Sequence, residues 1–158
     1  MQQDERSKIV VWIGFLVTAA SIFCFSAATS DSSNGLSQSI VHCIAAHLGL
    51  PADGGSLELY NLLLRKAAHF SIFFVLGIFA LRVFRSLRRR DYQQILFSLL
   101  LGIFFAIGDE FHQRFVSGRS PRILDVCIDT AGLTLGVLLT YLIVCRKQSK
   151  IVQAGKRK

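Results

Sequence analysis

Residues 108–115 read GDEFHQRF and follow directly on the apolar run LFSLLLGIFFAI, so a stretch of oil ends in two adjacent carboxylates, a histidine, a glutamine and an arginine. On a helix Asp109 and Glu110 point about 100° apart, so one faces its neighbours while the other meets a connecting loop. His112, three residues after Asp109, falls on the same side as that aspartate, within reach of being oriented by it. Apolar surroundings and nearby cations pull a carboxyl's proton affinity in opposite directions, which is how general acids and bases are tuned. Asp109, Glu110 and His112 are therefore the expected acid/base groups.

Two further polar segments carry matching types. Glu58, Asn61, Arg65 and His69 fall on one helical stripe with Lys66 beside it, and Asp125 and Asp129 lie one turn apart after Arg119 and Arg122. Arg65, Lys66 and Arg119 are the types that hold a phosphate or carboxylate, arginine with a two-pronged donor. Asp125 and Asp129 are expected to position the arginines. Together with His69 and Gln113 these residues form the expected substrate-binding set. DEFHQ is not the HExxH zinc signature, and His42 and His47, five apart, point about 140° from each other. No linear spacing matches a metal motif, and no metal or cofactor is expected.

The elements that position these groups must be helices in lipid. The chain has 158 residues, 52% of them apolar, and a mean hydropathy of +0.48. Stretches from Ile9 to Ala28, Ala67 to about Phe84, about Tyr92 to Phe111 and about Asp125 to Cys145 are each near the roughly 20 apolar residues a span needs. The fold class is all-α: a bundle of four transmembrane helices with a short amphipathic helix on the outer surface. The division is a cytoplasmic N-terminus (1–8), one transmembrane domain (9–145) and a basic cytoplasmic tail (146–158).

The net charge of +8 would suit nucleic acid, but the basic residues gather at the ends of oily segments, which excludes that reading. With the N-terminus in the cytoplasm, most of the 18 lysines and arginines lie inside, among them the run Arg88, Arg89 and Arg90; Arg65, Lys66, Arg114, Arg119 and Arg122 lie outside. The expected location is the bacterial cytoplasmic membrane, with both termini inside and the bilayer as first partner. The head MQQDERSK has no net charge and the run after it is long for a cleaved signal. Cys24, Cys43, Cys127 and Cys145 show no metal or disulfide spacing.

Packing signals are local. Gly14, Thr18, Ser21 and Ala28 share a face of the first span, and small stripes of this kind let helices approach in lipid. Leu36, Ile40, Ile44 and Leu48 make the apolar face of the surface helix, which Gly49 and Pro51 should end. Gly102, Ala106, Asp109 and Gln113 form one face, small below and polar above. Asp125, Asp129, Gly132 and Gly136 mirror it, the glycines forming a GxxxG.

RKAAHF at 65–70, IGDEFHQRF at 107–115 and SGRSPRILDVCIDTAG at 117–132, in a four-span layout, resemble the VanZ-like family of membrane proteins over roughly residues 9–145. The resemblance implies functional importance for Arg65, His69, Asp109, Glu110, His112, Gln113, Phe115, Gly118, Arg119, Asp125, Asp129 and Gly132. Phe73 stands where relatives often carry a tyrosine, so a role for that phenol is absent. The family takes its name from teicoplanin resistance, which implies an envelope protein acting on or binding a lipid-linked or cell-wall precursor, or a glycopeptide, at the outer leaflet. The alternative is a non-catalytic binding or envelope-organising protein whose buried charges only tie helices together. Oligomeric state is not written in the sequence.

Overall fold

A computed structural model describes residues 2–27, 30–51, 53–87, 89–117 and 122–155, with side chains for these except 2–4, 30–34, 36 and 147–155. Five helices and no strand occur among them: α1 (Gln2–Ala27), α2 (Ser30–Leu48), α3 (Gly54–Ser86), α4 (Asp91–Gln113) and α5 (Ile123–Gly155). Four contain stretches long and apolar enough to cross a membrane, namely Glu5–Ala27, Gly54–Ser86, Asp91–Gln113 and Ile123–Arg146.

The central element is α3, which touches each of the other four. Its 33 residues make about 50 Å of helix, longer than the roughly 30 Å a hydrocarbon core needs. Asp53 caps it: the Ser56 backbone N–H (2.9 Å) and hydroxyl (2.8 Å) both donate to the Asp53 carboxylate. Those bonds, the backbone one first, hold the Asp53 carboxyl below its ordinary value.

The tightest packing joins α3 to α5. A Cβ added at Gly132 would sit 2.3 Å from the Phe70 carbonyl oxygen, at Gly136 2.1 Å from that of Phe74, and at Gly77 2.3 Å from that of Leu133. The GxxxG read from the sequence is thus where two backbones meet, bringing Asp129, one turn before Gly132, down onto α3. Phe73, Leu76, Ala80, Leu133 and Val137 fill the seam. Helix α4 lies on it through Ser98, Gly102, Ala106, Asp109 and Gln113, all buried, so the face small below and polar above is the face that packs.

Helix α1 packs by a partly different face from the one expected, and α2 starts earlier. On α1 the buried residues are Phe15, Thr18, Ile22 and Ser26, with Gly14 against the Phe79 ring. Ser21 instead bonds its own Val17 carbonyl (2.8 Å), and Ala28 lies outside the described residues. Helix α2 starts at Ser30 rather than near Leu36, since its single internal glycine, Gly35, costs only about 1 kcal/mol. It buries Ser37, Val41 and Ala45 against α3 and leaves Ile40, Ile44 and Leu48 exposed. Small residues let the backbones approach and large apolar ones go to lipid, the reverse of a water-soluble helix. Gly49, at φ 65°, ends α2 as expected, and the Leu50 N–H returns to the Ala45 carbonyl (3.0 Å).

Candidate functional site

The bundle has two unlike ends. One carries the α3–α4 connection, where Arg82, Arg85, Arg89 and Arg90 gather and where Gln94 donates to the Arg89 carbonyl (2.6 Å). The other carries the end of α1, the first half of α3, the end of α4 and the start of α5, and there the polar side chains meet.

His69 of α3, Asp109 of α4 and Asp129 of α5 form the centre. The His69 Nδ1 lies 3.9 Å from Asp109 Oδ2 and 3.6 Å from Asp129 Oδ1, and one ligand-type atom from each residue falls within 4.8 Å of the others. Asp129 is 0% exposed, and neither of its oxygens has a hydrogen-bond partner. Asp109 Oδ2 accepts from the Gln113 amide one turn on (2.8 Å), which fixes the direction of that carboxylate.

Glu110 points away from this centre toward the start of α5, as its 100° offset from Asp109 requires. Its Oε2 accepts the Arg122 backbone N–H (2.8 Å), while Oε1 is buried without a partner. Lys66 pairs directly with Asp125, both about a quarter exposed. The aspartate expected to position an arginine is therefore neutralised by a lysine. His112 is turned to α1: its Nδ1 lies 3.3 Å from Ser26 Oγ and its ring 4.8 Å from that of Phe23. The Ser26 hydroxyl also donates to the Asp109 carbonyl (3.3 Å), tying α1 to the end of α4. Phe115 is exposed and meets the Phe111 ring edge-on (5.3 Å), and Arg119 and Gly118 lie outside the described residues.

Two concavities flank the centre. A cleft of about 740 Å³ runs between α2 and α3, with Gln38, His42, Glu58, Asn61, Arg65 and Arg122 on its walls; Arg65 is one turn above His69. A mostly apolar groove of about 230 Å³ between α1 and α4, walled by Ile22, Phe23, Phe104, Phe105 and Gly108, leads to Asp109 and His112. The cleft suits a polar anionic group and the groove a hydrocarbon chain. Sequence reasoning missed Ser26, Gln38 and the Arg122 backbone. Ser26 carried one signal, its place in the four-residue series Thr18, Ile22, Ser26; a main-chain donor carries none.

A family model described as VanZ/LLP1 matches residues 9–144. The uncharacterized protein C11E3.10 of Schizosaccharomyces pombe is 36% identical over 86 residues, 54% of this chain and 52% of that protein, so the aligned segment spans about half of its length. No solved structure matches.

Proposed function

The chain belongs to the VanZ/LLP1 family, and on that premise we propose that the polar end of its bundle binds a lipid-linked precursor of the cell envelope and acts on its headgroup by acid–base chemistry. The observation that supports this most is the state of the carboxylates. Glu110 Oε1 and both Asp129 oxygens are buried without hydrogen bonds. Buried carboxylates that serve only as clips are held by partners, because an unsatisfied one costs several kcal/mol. Lys66 and Asp125 look like such a clip, and for that pair the structural reading is favoured.

In this reading Arg65 and Arg122 meet the anionic headgroup in the α2–α3 cleft, with Arg119 as a further anion contact. The lipid chain lies in the α1–α4 groove beside His112. Glu110 exchanges protons with the headgroup, and Gln113 and His69 hold Asp109 and Asp129 in place. The setting is the bacterial cytoplasmic membrane with both termini inside, so the site faces the outer leaflet. A protein that modifies or sequesters wall precursors there would raise tolerance to teicoplanin.

The test uses the full chain in liposomes with a radiolabelled lipid-linked wall precursor. The wild type is expected to bind and convert it, and Glu110→Gln to lose about 100-fold or more of the turnover while still binding. Undiminished turnover in Glu110→Gln, or no binding by the wild type, contradicts the proposal. Binding without conversion, with graded losses at every carboxylate, would make the protein a binding module.

A further inference from the structure

We infer that His69, Asp109 and Asp129 form a binding site for one divalent transition-metal ion, Zn²⁺ being the best match to the donor set. The inference rests on the reading of this cluster as the working site and adds an ion to it. The three residues come from three helices and from positions 40 and 20 residues apart in sequence, which is why no linear motif announces them.

Geometry comes first. Donors around tetrahedral zinc stand about 3.4 Å apart at bond lengths near 2.0–2.1 Å. Here the imidazole nitrogen lies 3.6 and 3.9 Å from the two carboxylates and all three donor atoms fall within 4.8 Å of one another, so closing onto an ion needs inward shifts of up to about 1 Å, which side-chain rotation supplies. Charge points the same way. Two carboxylates side by side in an apolar bundle repel, and a divalent cation with neutral imidazole balances both.

Burial gives an independent indication. Asp129 is fully enclosed and its two oxygens have no hydrogen-bond partner, as expected of a ligand whose partner is an ion. Gln113 supplies the remaining element, an amide that orients the Asp109 carboxylate from behind, as groups behind metal ligands commonly do. An imidazole among the donors selects against Mg²⁺ and Ca²⁺, which take oxygen ligands. Three protein donors leave a position open, so a bound ion would polarise a substrate or water oxygen that reaches it.

The experiment is metal analysis of the purified full chain, dialysed against metal-free buffer and titrated with Zn²⁺, with Co²⁺ as a spectroscopic probe. The wild type is expected to hold one zinc per chain and to give a visible Co²⁺ absorption, and His69→Ala and Asp129→Asn to lose both. Gln113→Ala keeps all three donors, so the fold is little disturbed, and should weaken zinc about 10- to 100-fold. Well under one zinc per wild-type chain, or equal binding by Asp129→Asn, overturns the site. Zinc binding without precursor turnover would sink the proposed function and leave the metal site; precursor turnover by a wild-type chain that takes up no zinc on titration would do the opposite.

Discussion

Lys66 and Asp125 satisfy each other, whereas Asp129, one turn deeper on the same helix, is enclosed with no hydrogen bond to either oxygen. That contrast separates a clip from a working group, and it carries a prediction. Lys66→Met should destabilise the bundle by roughly 1–3 kcal/mol, less than for a fully buried pair, because it strands Asp125. Replacing both partners, Lys66→Met with Asp125→Leu, should return stability to within about 1 kcal/mol of the wild type, as judged by unfolding in detergent. A double variant no better than the single one would show that Asp125 does more than pair. Which residue types matter was legible in the sequence, since ionisable groups beside apolar runs stand out by their desolvation cost. Their partners were not: Asp109 and His112 share a helix side, yet the His112 ring goes to Ser26, a neighbour 86 positions away that spacing cannot indicate.

At the scale of elements, the glycines decide how deep the aspartates lie. Gly132 and Gly136 let α5 rest on the α3 carbonyls, and the face Asp125, Asp129, Gly132, Gly136 is set by that contact. Backbone atoms cannot yield as a flexible side chain does, so Gly136→Val should cost about 3 kcal/mol or more. Gly108→Ala, where nothing lies within 4 Å of the new Cβ, should be neutral or slightly stabilising through helix propensity. Thermal unfolding of the two variants in the same detergent measures the difference; equal midpoints would mean that the α3–α5 contact is looser than described. The GxxxG was readable because small residues are the language of packing in lipid. The α2 period was legible for the same reason: large apolar side chains mark the lipid side, so Ile40, Ile44 and Leu48 stay exposed on the apolar face read from the sequence, while Val41 and Ala45 meet α3.

For the whole molecule, four apolar helices set the membrane reading, and the family match agrees with it over residues 9–144. The bundle's polarity along the membrane normal is equally plain, with arginines at the α3–α4 connection and the His69, Asp109, Glu110 and Asp129 cluster at the opposite end. Sequence alone supplied the segments and the basic flanks; it could not supply the convergence, which depends on α4 running back along α3 from their short connection to set Asp109 level with His69, and on the α3–α5 glycine contact that brings Asp129 beside them. The central claim is that this polar end is the working face and is turned away from the cytosol. Cys43, exposed on α2, marks that end, and Cys145, near the close of the α5 span, marks the other. The direct measurement is labelling of intact cells with a membrane-impermeant maleimide, on chains retaining only one of these cysteines. Labelling of the Cys43 chain, with the Cys145 chain reacting only after permeabilisation, is the predicted result; labelling of Cys145 with Cys43 protected would contradict it.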